Sequence, residues 1–244
     1  MRNVLLIGAT SAIAQAVGRL LAREGARLLL WGRAREKLEI VAADLRVRGA
    51  KSVELDVFDF NDFARHEEAL QRALATGDWD TAVICHGSLG DQAGGEKNFA
   101  VAELEFRTNC LSALSFLTVL ANYFEARGGG TLAVISSVAG DRGRGSNYIY
   151  GAAKSAVTTF AAGLRQRLWA KGVRVLTIKP GFVATPMTAH LPKHRLFASP
   201  EEVAGDILKA LKTGKGVLYT PWFWRWIMLV IKLIPEPIVR RLKL

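Results

Sequence analysis

Cysteine is scarce: Cys85 and Cys110 are the only two in 244 residues, so no disulfide framework and no zinc-ligand spacing is expected. A reducing compartment fits. The seven prolines nowhere gather into a linker, and no low-complexity tract or internal repeat interrupts residues 1–215, which argues against a domain boundary there. The amino end, Met1-Arg2-Asn3-Val4-Leu5-Leu6-Ile7-Gly8, enters a strand-like run at once and lacks the small-residue cleavage site of a secretory signal. A cytoplasmic protein is the expectation.

Half the residues are hydrophobic and 23% are charged, an ordinary globular balance that excludes disorder and collagen-like repeats. The length suits one enzyme-sized domain. A net charge of +11 points to an anionic partner, which could be nucleic acid, a phosphorylated cofactor or an acidic membrane surface. The basic residues are spread along the chain without a zinc-finger, RNP or basic-zipper pattern, so nucleic acid is not expected.

Short β-branched and leucine-rich runs at 4–7, 27–31, 52–55, 81–85, 131–136 and 174–178 alternate with helical patterns near 11–24, 35–48, 61–75, 101–127, 146–170 and 200–213. That rhythm predicts an α/β Rossmann fold, a doubly wound parallel sheet with helices on both faces. Residues 1–216 are expected to form the catalytic, nucleotide-binding domain, and 217–244 an apolar and basic extension. Between Trp222 and Ile234 only Arg225 and Lys232 are charged, and Trp222, Trp224 and Trp226 cluster there. Thirteen residues fall short of the ~20 needed to span a bilayer. Arg225 and Lys232 share one helical face, and Arg240, Arg241 and Lys243 add cations beyond Pro235-Glu236-Pro237. Two destinations fit the segment: a membrane surface, or packing on the core or a second subunit.

Gly8-Ala9-Thr10-Ser11-Ala12-Ile13-Ala14 follows the first strand and opens a helix, where backbone N–H groups and a positive helix end can meet a pyrophosphate. Gly8, Thr10, Ser11, Ala12 and Ile13 are the candidate contacts. Two glycines of a G-x-x-x-G-x-G loop are replaced by Ala12 and Ala14. Gly32 occupies the position where NAD-preferring folds carry an acidic residue, and Arg33 follows with a guanidinium fork suited to a 2′-phosphate. NADP(H) is therefore expected in preference to NAD(H). In Leu55-Asp56-Val57, Asp56 can accept from an adenine amino group, with Val57 beside it.

Tyr150 and Lys154 are four apart and share a helical face. A phenol titrates near ~10, and a neighbouring ammonium is expected to favour the phenolate and bring it toward the working range. Ser136-Ser137 end the preceding strand at the sheet edge where ligands bind. Ser137 is the candidate reactive hydroxyl and Ser136 a structural one.

The Gly8 loop, Thr108-Asn109-Cys110, Ile135-Ser136-Ser137-Val138-Ala139-Gly140, Tyr150/Lys154 and Pro180-Gly181-Phe182-Val183-Ala184-Thr185 occur in an order and at spacings that resemble the short-chain dehydrogenase/reductase family over residues 3–215. The resemblance implies that Tyr150 is the acid/base, that Lys154 tunes it and holds the nicotinamide ribose, and that Ser137 polarises a carbonyl. It implies that Asn109 stations a water beside the lysine, and that Pro180, Gly181, Val183 and Thr185 flank the nicotinamide. It also implies a homodimer or homotetramer acting on a small carbonyl substrate. Ile84-Cys85-His86-Gly87 departs from the family's usual Asn-Asn-Ala-Gly; His86 is read as a structural imidazole, and Gly87 as keeping the backbone close to the nucleotide. Tyr148 lacks a cation four residues on and is read as a pocket wall. His66, His190 and His194 are scattered, and no metal site is expected. The segment 185–199, with Met187, Leu191, Pro192 and Phe197, is expected to cover the substrate.

A narrower resemblance joins Gly8-Ala9-Thr10-Ser11, Gly87-Ser88-Leu89-Gly90-Asp91, Ser137-Val138-Ala139-Gly140-Asp141-Arg142, Tyr219-Thr220-Pro221 and Ile234-Pro235-Glu236-Pro237-Ile238-Val239-Arg240-Arg241 to the decaprenylphosphoryl-2-keto-ribose reductase branch. It implies a lipid-linked ketosugar substrate and work at the inner face of the cell membrane. The alternative function is a non-catalytic NADP(H) sensor or a scaffold at a membrane.

Overall fold

Seven short runs rich in Val, Leu and Ile pair into a single sheet: β1 (Asn3–Ile7), β2 (Arg27–Gly32), β3 (Ser52–Val57), β4 (Thr81–Ile84), β5 (Gly130–Ile135), β6 (Val173–Pro180) and β7 (Val217–Thr220). The computed structural model describes residues 2–192 and 194–242; the cation expected at Lys243 lies outside the described residues. The strand order is β3-β2-β1-β4-β5-β6-β7, and every neighbouring pair is parallel. Parallel strands need crossovers, which helices supply. These are α1 (Ala12–Arg23), α2 (Arg35–Val47), α3 (His66–Ala75), α4 (Gln92–Lys97), α5 (Phe99–Phe106), α6 (Ser112–Arg127), α7 (Tyr148–Leu168) and α8 (Pro200–Thr213). After β7 come α9 (Trp224–Leu233) and the single turn α10 (Glu236–Val239).

Alternation along β1 divides its side chains between two cores. Val4 and Leu6 join Val17, Leu21, Leu38 and Ile207 on one face. Leu5 and Ile7 join Leu70, Phe116, Leu120 and Val157 on the other. Burial on both faces explains why these strands read as unbroken apolar runs. Helix starts are fixed locally: the Ser11 hydroxyl accepts from the Ala14 N–H at 3.2 Å, and Ser199 with Glu202 closes a capping box ahead of α8. Strand order reverses between β1 and β4, which opens a crevice at their carboxyl ends. Gly8 and Gly87 lie there.

Residues 217–220, assigned from sequence to the extension, instead complete the sheet. Leu218 pairs with Ile178 and is buried, as is Thr220, whose hydroxyl donates to Asp206 at 2.7 Å. A four-residue strand offers too short an alternation to separate from the apolar run behind it.

Of the destinations read for the terminal segment, packing on the core is met. The inner face of α9 packs on the body, where Trp224 and Met228 form a small core with Val138, joined by Phe182, Tyr219, Ile227 and Ile231. Its outer face leaves Trp222, Trp226, Val230 and Leu233 between 57% and 73% exposed. Arg142 fastens the segment: its Nη1 donates to the carbonyls of Ile231, Lys232 and Ile234 and its Nη2 to Glu236 at 2.9 Å. Next to it, Asp141 is ion-paired with Lys179 and accepts from the Tyr219 hydroxyl at 2.7 Å. The loop that follows Ser137 is thereby tied to the carboxyl-terminal helices. Among the described residues, no helix is long and apolar enough to cross a membrane.

Candidate active site

Gly8 turns the chain out of β1 with φ +84°, and a Cβ there would lie 2.5 Å from the His86 backbone nitrogen. Only glycine fits both demands. The N–H groups of Gly8 and Ala9 donate to the Trp31 carbonyl at 2.9 Å. Among the described residues, none accepts the N–H groups of Thr10, Ala12 or Ile13. Free donors at the start of α1 beside Ser11 make a cradle for an anion, so the two alanines leave the phosphate-binding chemistry in place.

At the end of β2, a Cβ on Gly32 would press within 3.0 Å of Leu38; the place of an acidic side chain is taken by leucine. Arg33 is exposed, with no ion-pair partner among the described residues. Asp56 and Val57 lie opposite Trp31 and Gly32 in the β2–β3 register, so all three flank one edge. Gly87 follows β4, and a Cβ on it would lie 2.5 Å from Asn109 Oδ1 and 3.4 Å from Lys154 Nζ. Pro180 ends β6. Gly181 donates to the Thr220 carbonyl at 3.0 Å, and Val183 is buried against Ala198. Thr185 donates its N–H to Thr188 Oγ1 at 3.3 Å. The predicted nucleotide residues thus border one sheet edge, and their chemistry fits a dinucleotide: N–H donors, an exposed guanidinium and close-approaching glycines.

Tyr150 lies in the first turn of α7, with Lys154 Nζ 5.7 Å from its ring centroid. The lysine is buried and donates to the Ile135 carbonyl at 3.1 Å. Ser136 bolts α7 to β5 by donating to the Lys154 carbonyl at 2.8 Å and bonding Thr158 at 2.7 Å. Ser137 accepts from the Ala139 N–H at 3.1 Å, and its hydroxyl is placed to hydrogen-bond with the Tyr150 phenol. The structure therefore brings Ser137, Tyr150 and Lys154 together.

The electrostatics correct one expectation. Burial pushes the Tyr150 phenol up to about 12, with the Ser137 hydrogen bond opposing and the Glu105 charge adding to the rise. Burial likewise brings Lys154 down to about 8, against the charge of Glu105. The lysine does not bring the phenol toward neutrality here, because the desolvation that buries both groups penalises the charged form of each.

Asn109 sits in a π-helical turn, residues Arg107–Leu111, between α5 and α6. Such a turn re-aims side chains and often marks a functional site. Its Oδ1 accepts from the Ser88 N–H at 3.0 Å. Its Nδ2 donates to Ser88 Oγ at 3.2 Å and to Glu105 Oε1 at 2.5 Å. Glu105, buried with 6% exposure, also accepts from Ser88 Oγ at 3.1 Å. The sequence reading missed Glu105; the available signal was a carboxylate one turn before Asn109 with apolar Leu104 and Phe106 on either side.

His86 bonds Ser112 at 2.7 Å and packs on Phe60 and Phe116; burial brings it down to about 3. The ring is packed, but its Nδ1 is buried without a hydrogen-bond partner among the described residues, so the structural imidazole expected from sequence is satisfied at one nitrogen only. His66 bonds Ser115 and the Phe60 carbonyl. Tyr148 is 45% exposed at the start of α7. In the 185–199 segment, Phe197 stacks on Phe182 at 5.2 Å, and Lys193 lies outside the described residues.

Comparison with known proteins finds relatives along most of the chain. The pattern describing the short chain dehydrogenases matches residues 2–196. An uncharacterized oxidoreductase of Mycobacterium tuberculosis is 39% identical over 98% of this chain and 96% of its own length. Another from Streptomyces coelicolor is 36% identical over 99% of this chain and 96% of its own. In structure, the chain resembles a short-chain dehydrogenase from Sphingobium yanoikuyae in complex with NADPH, with TM-score 0.82 at 23% identity, covering 97% of each chain.

Proposed function

Because the chain belongs to the short-chain dehydrogenase/reductase family, an oxidoreductase family that binds NAD(P)(H), we propose that it is an NADP(H)-preferring reductase interconverting a ketone and a secondary alcohol. The observation that carries this reading is the convergence of Ser137, Tyr150 and Lys154 between β5 and α7. A nicotinamide held in this crevice would supply or accept the hydride at the carbon. Tyr150 gives its proton to the carbonyl oxygen, and Ser137 donates to that oxygen and stabilises the charge growing on it. Lys154 replenishes the proton from beneath and holds the nicotinamide ribose; Asn109 fixes the polar cluster beside it. Fixing both reactants side by side supplies the positional advantage.

For the cofactor, the Gly8, Thr10, Ser11, Ala12 and Ile13 loop holds the pyrophosphate and Arg33 the 2′-phosphate. Asp56 and Val57 border the adenine and Gly87 the adjoining ribose. Pro180, Gly181, Val183 and Thr185 flank the nicotinamide. The exposed guanidinium of Arg33, with no ion-pair partner among the described residues, and the lack of a carboxylate at Gly32 support NADP(H) over NAD(H).

The substrate in this reading is a lipid-linked ketosugar, met at the inner face of the cell membrane by a cytoplasmic homodimer or homotetramer. Its support is the exposed Trp222 and Trp226 at the start of α9 with Arg225 over the Trp226 ring, followed along the segment by exposed Arg240 and Arg241. Tryptophan suits the headgroup level and arginine suits anionic lipid. Exposed Phe99, Leu104 and Trp169 on and beside α5 and α7 offer surface for subunit contact. A screen of lipid-linked and soluble ketones, followed by NADPH absorbance, tests the reading. Turnover with a lipid-linked ketone is expected, and bound NADPH with no ketone turned over would leave a sensor instead.

A further inference from the structure

Glu105 is a carboxylate in the interior that the proposed reaction does not use. It is buried at 6% exposure and held by two donors: Asn109 Nδ2 on Oε1 and Ser88 Oγ on Oε2. Asn109 returns to Ser88 twice, accepting its N–H and donating to its Oγ. The three side chains form a closed circuit in which both Asn109 amide hydrogens and its oxygen are satisfied within the protein. Gly90 leaves room for it, since a Cβ there would lie 2.2 Å from Glu105 Oε2. A buried carboxylate needs compensation beyond neutral donors; a Cβ on Gly87 would lie 2.5 Å from Asn109 Oδ1 and 3.4 Å from Lys154 Nζ, which sets the lysine beside this circuit, and its charge acts on Glu105.

We propose that Glu105 is a positioning residue for the reaction: it locks Asn109 against Ser88 and provides the buried counter-charge that keeps Lys154 an ammonium beneath Tyr150. The proposal rests on the reading of Ser137, Tyr150 and Lys154 as the reacting set. A buried lysine without a nearby anion tends to lose its proton, and an amine that has lost it cannot replenish the phenol after Tyr150 protonates an oxygen. Glu105 opposes that loss. Its charge also holds Tyr150 in the protonated, donating form, so both effects favour reduction. The groups bonded to the carboxylate are Ser88 after β4 and Asn109 in the π turn, and Lys154 and Tyr150 from α7 are the groups on which its charge acts. Cys85 and Cys110 act on Lys154, and burial raises both thiols.

The test is a carbon-13 titration of the full chain labelled at lysine Cε and glutamate Cδ, with Lys154 assigned through Lys154→Arg and Glu105 through Glu105→Gln. Lys154 is expected to titrate near 8 in the unaltered protein and about one pH unit lower in Glu105→Gln, while Glu105→Asp keeps most of the original value. A folded Glu105→Gln in which Lys154 titrates unchanged overturns the proposal. Should that variant not fold, the unaltered chain decides, because interacting groups must show inflections at each other's titration and independent curves overturn the coupling. No turnover is needed, so the result stands apart from the Tyr150→Phe assay that judges the reacting set itself.

Discussion

Trp224 lies against Gly181 so closely that a Cβ on the glycine would come within 1.9 Å of the indole Nε1. The contact joins the terminal helix α9 to the turn that follows β6, where the proposed function places the nicotinamide. Any side chain at 181 must displace a buried ring, and overpacking of that kind costs roughly 1–3 kcal/mol. Gly181→Ala is expected to lower the thermal midpoint and weaken NADPH binding together. Trp224→Ala removes a buried aromatic and is expected to cost about 3–5 kcal/mol, read by denaturant unfolding. An unchanged midpoint in both variants would show that α9 is not part of the folded core.

Arg33 reaches solvent with no carboxylate partner among the described residues, and in the proposed function its fork takes a phosphate. Hydrogen bonds to charged groups are worth about 1.5–3 kcal/mol, so Arg33→Ala is expected to weaken NADPH roughly tenfold to a hundredfold and NADH little. Fluorescence titration with both nucleotides measures this. Equal losses would contradict the 2′-phosphate assignment.

Much of the architecture was readable because buried parallel strands are apolar throughout and alternate with helix-length spacers. The other six strands announce themselves in this way; β7 does not, since Val217–Thr220 runs into the apolar stretch of α9. The helix read over 101–127 is in fact α5, a π turn and α6, a change of register with no pattern in side-chain type. Ser137, Tyr150 and Lys154 were legible from spacing. Glu105 was not, because its role comes from Ser88, seventeen residues away on a different element. The acidity of Tyr150 was misjudged for the same reason: sequence distance gives the charge of Lys154 but not the desolvation around it.

Truncation near residue 217 would remove β7 and Trp224 along with the exposed face, so it cannot isolate membrane binding. Trp222→Ser with Trp226→Ser alters only exposed rings. Flotation with vesicles containing anionic lipid is expected for the unaltered chain and to fall several-fold for the double variant, with higher salt weakening both. Equal flotation of the two would remove the lipid-surface reading.

Stability should fall in acid for an identifiable reason. His86 is brought from 6.5 to about 3 by burial, and His66 is lowered by the same cause. Between the ordinary histidine value and the folded one, the unfolded chain binds more protons, so stability rises with pH across that window and is lost as pH falls from about 6.5 toward 3. Glu105, raised by burial, offsets part of this above the ordinary glutamate value. Thermal midpoints followed from pH 7 to 4 are expected to drop less steeply in His86→Gln than in the unaltered protein. Parallel curves would contradict a neutral, buried His86.

The most direct measurement is NADPH-dependent ketone turnover by Tyr150→Phe, beside its NADPH affinity. The hydroxyl is the proton donor in this account, and a positioned acid contributes about 10²–10⁴ in rate. Turnover is therefore expected to fall by at least a hundredfold, with the dissociation constant for NADPH little changed. Turnover close to that of the unaltered chain would contradict it.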